Sequence, residues 1–161
     1  MKIILEGVDG AGKTTLAKIL AEKYGLDICH CTQDDAADYN FYRQTLRKDN
    51  IVWDRHTLGE LIYPRVFGRR QQISTEDARL VLHYAAKEEG VIILVLTADM
   101  PTLLSRMNRR KTSEHPLIME NLDWIDSQFK YYANQFHVPV IDTSKMALQQ
   151  IFDLVESKQI A

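Results

Sequence analysis

The residues Gly7-Val8-Asp9-Gly10-Ala11-Gly12-Lys13-Thr14 have the types and the spacing to grip a polyphosphate. They fit Gly-x-x-x-x-Gly-Lys-[Ser/Thr], a loop whose backbone N–H groups wrap phosphate oxygens. Glycine lets the chain turn where a Cβ would obstruct it and brings backbone close to an anion. A helix opening at Lys13 adds free N–H groups and the positive end of its dipole. On this reading Gly10, Ala11, Gly12, Lys13, Thr14 and Thr15 form the cofactor-binding loop. Lys13 reaches the β- and γ-phosphates of ATP, and the Thr14 hydroxyl ligates Mg2+.

A second group, Asp54-Arg55-His56, follows the apolar run Ile51-Val52-Trp53 and so stands where a buried strand runs out. Asp54 could hold Mg2+ through water or accept a proton from an attacking hydroxyl. Arg55 could clamp an acceptor phosphate with its forked donors. The plainer alternative is a surface salt bridge, with Asp54 capping the next helix. Asp99 also ends a strand and rivals Asp54 as a metal partner, but its place just before Pro101 suits an N-cap better. Arg106, Arg109, Arg110 and Lys111 form a basic cluster ahead of Thr112-Ser113-Glu114-His115-Pro116. Two readings stand: arginines that close over a migrating phosphoryl group, or a solvated helix end whose cations answer the dipole.

The elements that must position these groups alternate from end to end. Apolar strands are expected near Lys2–Glu6, Leu26–Cys31, Ile51–Asp54, Val91–Thr97 and Val138–Asp142. The run Val91-Ile92-Ile93-Leu94-Val95-Leu96 is apolar throughout, as a parallel strand covered on both faces requires. Pro139 removes a ladder donor and places the last strand at a sheet edge. Helical stripes fall at Leu16/Ile19/Leu20, Ala78/Val81/Leu82/Ala85, Leu122/Ile125/Phe129/Tyr132/Phe136 and Leu148/Ile151/Phe152/Val155. Ser74 with Asp77 forms a capping pair for the second stripe, and Gly90 marks its stop. Strand–helix alternation of this kind is an α/β fold with a central parallel sheet, whose ligands sit beyond the carboxyl ends of the strands.

Composition narrows the class. A chain of 161 residues, 45% hydrophobic and 26% charged, can build its core as a single domain over 1–161. Net charge of -2 and a pI near 6.2 give no global attraction to nucleic acid or anionic membrane, so basic chemistry must be local. Cys29 and Cys31 lack a second ligand pair, which argues against zinc and against a disulfide framework. They are expected as small apolar residues of a buried strand in a reduced, cytoplasmic protein. The sequence opens on strand and loop with no signal-peptide pattern, and no apolar run approaches bilayer length.

Together these residues resemble the thymidylate kinase family of nucleoside-monophosphate kinases. Glu6 to Thr15 is similar to that family's phosphate loop, and Asp54-Arg55-His56 to its Asp-Arg-Tyr/His motif. Tyr63 falls where the family has a tyrosine beside the acceptor nucleotide. Asp99-Met100-Pro101 with Arg106 and Arg109-Arg110 resembles its strand-to-helix turn and basic lid, here over about 109–117. The resemblance implies a three-layer P-loop NTPase fold with a five-stranded parallel sheet in the order 2-3-1-4-5. It also implies that Asp9 meets the acceptor sugar, Arg55 the acceptor phosphate, and Asp54 the magnesium or its waters. With Ala11 in place of a loop arginine, the catalytic arginines are expected from the lid, at Arg109 and Arg110. The segment of about 32–50 is shorter than in typical members, so Tyr39, Phe41, Tyr42, Arg43 and Arg47 either substitute for the usual base contacts or simply pack. Gly59 and Pro64 also depart from the family pattern.

The expectation is therefore a Mg2+·ATP-dependent enzyme passing the γ-phosphoryl group to a nucleotide, with dTMP or another deoxynucleoside monophosphate first. Lys13, Asp54, Arg55, Arg109 and Arg110 would be catalytic, and Asp9, Tyr39, Arg43, Arg55 and Tyr63 would bind substrate. Thr14 and Asp54 would hold the metal, and Arg106 would bind ATP. One alternative is a kinase for a hydroxyl acceptor: a deoxynucleoside, or a hydroxymethylated pyrimidine in DNA whose phosphates Arg65, Arg69 and Arg70 would track. Another is a nucleotide-binding module without catalysis. Exposed helix faces leave room for a homodimer, an arrangement common in the resembled family.

Overall fold

The computed structural model describes residues 1–31, 38–110 and 116–160. Residues 32–37 of the shortened acceptor segment and 111–115 of the expected lid, Lys111 included, lie outside the described residues. Five strands form one sheet: β1 (Lys2–Gly7), β2 (Asp27–His30), β3 (Ile51–Asp54), β4 (Ile92–Thr97) and β5 (Val140–Asp142). Their order is β2-β3-β1-β4-β5 and every pairing is parallel, as expected from the resemblance. Ile3, Ile4 and Leu5 of β1 pair with Ile92, Ile93 and Leu94 of β4, and all six are buried. β3 is buried along its whole length, Trp53 completely.

Helices cover the sheet in chain order: α1 (Lys13–Tyr24), α2 (Tyr39–Thr45), α3 (Thr57–Phe67), α4 (Thr75–Lys87), α5 (Met100–Asn108), α6 (Pro116–Glu120), α7 (Leu122–Gln135) and α8 (Leu148–Ile160). Their apolar stripes meet the sheet at Leu16, Ala17 and Leu20, at Ala78, Val81, Leu82 and Ala85, and at Leu122, Ile125, Phe129 and Tyr132. Two caps anticipated from sequence are present. Ser74 Oγ accepts from Asp77 N at 3.0 Å, and Asp99 Oδ1 from Thr102 N at 2.8 Å. Asp99 is thus engaged at the start of α5 rather than beside Thr14.

The two outer strands differ from expectation in instructive ways. β5 does lie at an edge and begins only at Val140, after Pro139, although Pro139 O still accepts from Val95 N at 3.0 Å. β2 is the other edge, and three of its four residues are exposed. Cys29 and Cys31 are therefore half-buried, not core residues, because β2 has a neighbour on one side only. No helix among the described residues is long and apolar enough to cross a membrane.

The register brings the chemistry together. Leu5 pairs with Asp54, so the carboxyl end of β1, where the glycine-rich loop starts, lies beside the carboxyl end of β3. β1 sits where successive connections leave to opposite sides, toward β3 and toward β4, and such a reversal opens a crevice at the strand ends.

Candidate active site

The loop between β1 and α1 is fixed first by backbone. Gly7 has φ +134°, and a Cβ there would stand 2.1 Å from the Leu96 carbonyl oxygen. Only glycine fits such an approach. Gly12, at φ +92°, precedes the first helical residue, Lys13, which leaves the first N–H groups of α1 facing the loop. Lys13 itself is buried and donates to the Gly7 and Val8 carbonyls at 2.7 and 2.8 Å. Burial, together with the Arg55 charge, pulls its pKa down to about 7 against the attraction of Asp9, Asp54 and Glu6.

Across the crevice, Thr14 Oγ1 donates to Asp54 Oδ2 at 2.6 Å, and His30 Nδ1 lies 3.2 Å from the same oxygen. Asp54 does not cap α3. That helix is capped from a distance: Glu6 Oε1, on β1, accepts from His56 N at 3.1 Å and Leu58 N at 2.6 Å. Glu6 is fully buried, and burial raises its pKa to about 7 despite the Leu58 and His56 N–H bonds and the Arg55 and Lys13 charges. Its Oε2 has no partner among the described residues. His56 is buried between Thr45 Oγ1 and Thr57 Oγ1, at 2.8 and 2.6 Å, and burial lowers its pKa to about 3, so it stays neutral.

Arg55 is held in a left-handed backbone conformation, φ +77°, which a non-glycine residue enters only when its surroundings enforce it. Three contacts do so. Its N–H donates to Leu5 O at 2.9 Å, the His56 and Leu58 N–H groups that follow are taken by Glu6, and its Nη2 donates to Asp9 Oδ1 at 2.5 Å. Tyr63 Oη completes the cluster by donating to Asp9 Oδ2 at 2.5 Å, and the Arg55 guanidinium lies 4.9 Å from the Tyr63 ring centroid. Burial opposes charge on Asp9, yet Arg55, Lys13 and the Tyr63 hydroxyl hold its carboxyl below the ordinary range.

Two cavities flank the loop. One, of about 360 Å³, is lined on its polar side by Thr14, His30, Asp54, Arg55, Glu60 and Arg69. The other, of about 470 Å³, is lined by Gly10, Gly12, Thr15, Arg106, Arg110 and the apolar side chains of α1 and α8. Both volumes suit a small organic ligand. Arg106 is anchored there, its Nη1 donating to Thr143 Oγ1 at 2.8 Å and to Gly10 O at 3.2 Å.

The sequence-derived residues divide accordingly. Asp9, Arg55 and Tyr63 touch one another, and Thr14 and Asp54 do likewise. Arg106 and Arg110 reach the second cavity, while Arg109 is exposed at the end of α5. Tyr39 and Arg43 are turned elsewhere: Arg43 lies 3.3 Å from the Tyr84 ring centroid on α4 and donates to Tyr39 Oη at 3.1 Å. Tyr42, one position away on α2, lines the first cavity instead. Sequence reasoning gave Glu6 no role beyond the loop pattern and missed Glu60. The latter's signal was available, as the one charged residue in the run Leu58–Pro64, three residues before Tyr63.

No family model matches the chain. Individual proteins do. It is 27% identical to a probable thymidylate kinase of Methanocaldococcus jannaschii, covering 94% of this chain and 91% of that one. It is 25% identical to cytidylate kinase 2 of Borreliella afzelii, covering 98% and 96%. The chain is nucleoside-monophosphate kinase-like. Among solved structures, the YorR protein of Bacillus subtilis, crystallised in complex with phosphorylated GDP, superposes on this kinase-like chain with TM-score 0.79. Coverage is 100% of this chain and 99% of that one at 20% identity, a likeness of fold. The five-stranded parallel sheet with its 2-3-1-4-5 order is the P-loop kinase architecture.

Proposed function

We propose that the chain is an ATP-dependent phosphotransferase that moves the γ-phosphoryl group to a nucleotide, specifically a nucleoside monophosphate. One observation carries the reading: two cavities of nucleotide size open on either side of one glycine-rich loop. The second would seat ATP, with its phosphates on Gly10–Thr15 and Arg106 beside them. The first would seat the acceptor. Relatives named thymidylate and cytidylate kinase support a nucleotide substrate and leave the choice between thymine, which the sequence resemblance suggests, and an amino-bearing base to the lining of the first cavity.

The chemistry follows from charge. Phosphoryl transfer needs two anions brought into line and their repulsion neutralised, with little covalent work for the protein. Lys13 would exchange its bonds to the Gly7 and Val8 carbonyls for the β/γ-phosphates, whose charge favours its protonated form. Arg55 would hold the acceptor phosphate, and Asp9, already tied to Arg55 and Tyr63, would keep that guanidinium aimed and meet the sugar hydroxyl. Arg109 and Arg110 would cover the migrating group from the lid. Thr14 Oγ1 and Asp54 Oδ2 are two oxygen donors side by side, the hard and sparse ligand set that suits Mg2+, which fills its other positions with water and phosphate. When bound there, Mg2+ supplies charge neutralisation of the polyphosphate.

Lys13→Ala should abolish turnover while the circular dichroism spectrum stays that of the folded protein. Undiminished turnover in that variant removes the mechanism.

A DNA acceptor fits the site less well. Arg69, which would have tracked a polymer backbone, is instead paired with Glu60 inside the first cavity.

A further inference from the structure

The Glu60–Arg69 pair has no place in phosphate chemistry, yet both residues line the acceptor cavity. Gly68 caps α3 in the left-handed conformation, and the N–H groups of Gly68 and Arg69 both return to Pro64 O. That reversal folds Arg69 back along the helix. Its Nη1 and Nη2 donate to Glu60 Oε1 and Oε2 at 2.8 and 2.7 Å, end-on and bidentate. Gln72 N adds a third bond to Oε1 at 3.0 Å. A carboxylate offers about four acceptor positions. Three are used, so among the described residues one remains, on Oε2. Of Arg69's donors, Nη1 also reaches the Arg70 carbonyl at 3.4 Å and Nε is buried without a partner among the described residues, which leaves, among them, one N–H on Nη2. The spare donor and spare acceptor therefore belong to the same Nη2···Oε2 contact, side by side on a rigid pair.

Glu60 sits one helical turn before Tyr63, whose hydroxyl is tied to Asp9, so the pair stands beside the sugar-contacting cluster on the same face of α3. We propose that Glu60 and Arg69 read the base of the acceptor nucleotide and select an amino-bearing base over thymine. This rests on the nucleotide-acceptor reading above. An ionised carboxylate only accepts hydrogen bonds, and cytosine, adenine and guanine each offer an exocyclic amino donor, beside which lies an acceptor for the Nη2 N–H. Thymine has no amino group. Its one ring N–H lies between two carbonyl oxygens, which a carboxylate repels. A buried carboxylate left facing carbonyls loses its remaining bond, the situation in which binding sites discriminate most strongly.

The test is a steady-state comparison of dCMP, dAMP, dGMP and dTMP as acceptors for the wild-type chain and for Glu60→Gln and Arg69→Lys. The expected wild-type result is a kcat/KM for the best amino-bearing acceptor about tenfold or more above dTMP. In both variants the ratio of that acceptor to dTMP should fall toward parity, with the ATP KM little altered. Arg69→Lys keeps the charge and loses the fork, so it reports even where Glu60→Gln folds poorly. A wild-type preference for dTMP overturns the proposal. So does a parallel fall on all four acceptors, which is what a purely structural ion pair gives. Absence of transfer to any of the four, with ATP still bound, removes the nucleotide-acceptor reading itself and this inference with it.

Discussion

Replacing Glu6 tests how the site is held in shape. Its carboxylate is buried, carries the N–H groups of His56 and Leu58 on Oε1, and has a pKa raised by burial to about 7 from 4.5. A group whose folded pKa lies above its unfolded value stabilises the fold while protonated, and that contribution drains away as pH rises through the folded pKa. With these two values, wild-type stability should fall by about 2–3 kcal/mol between pH 5 and pH 8 on account of Glu6 alone. Glu6→Gln keeps an oxygen for both N–H groups and cannot ionise. Its stability relative to wild type should therefore rise by about that amount over the same interval. Lys13, with a pKa lowered by burial to about 7, adds stability as pH rises above 7; the Glu6 charge opposes that lowering, so its loss in Glu6→Gln enlarges the Lys13 gain and acts in the same direction. Glu6→Ala strands two buried donors at about 1–3 kcal/mol each and should be less stable than Glu6→Gln at every pH. It also releases the turn that holds Arg55 at φ +77°, so the acceptor KM should rise while the ATP KM does not. Urea unfolding of the three proteins at pH 5 and 8 gives the numbers. A Gln-minus-wild-type difference that is flat with pH, or a Gln variant as unstable as the Ala variant, refutes the reasoning.

Other perturbations separate the loop, the acceptor cluster and the donor side. Gly7→Ala should unfold the chain or leave it insoluble at 37 °C, since the added carbon meets backbone and not a movable side chain; soluble expression with a native circular dichroism spectrum would contradict this. Tyr63→Phe removes the hydroxyl that orients Asp9, at a cost of about 1.5–3 kcal/mol, and should appear as a higher acceptor KM in initial-rate assays with the ATP KM unaffected. Arg106→Ala loses the anchor between Thr143 and the Gly10 carbonyl and should weaken ATP binding by about tenfold in calorimetric titration.

The parts legible in the sequence are those set by local pattern. Strand, glycine loop and helix follow in register from Lys2 to Tyr24, and Leu5 opposite Asp54 explains why two motifs forty residues apart meet. The Asp99 cap and the edge position of β5 were likewise readable from Pro101 and Pro139. What escaped depends on long-range packing. Leu26, Ile28, Cys29 and Cys31 make the second strand read as buried, but its place at the end of the strand order leaves it half open. Tyr39 and Arg43 carried the right chemistry for a base, but Tyr84, from α4, captures the guanidinium. Glu6 as a distant cap, and Glu60 paired with Arg69, require knowing which elements touch, which composition and spacing do not encode.

The direct test of the central claim is transfer from [γ-32P]ATP in the presence of Mg2+, with nucleoside monophosphates, nucleosides and modified oligonucleotides offered separately and the products resolved by chromatography. The account predicts label in a nucleoside diphosphate, lost with Lys13→Ala. Label confined to inorganic phosphate, to a nucleoside or to the oligonucleotide would contradict it.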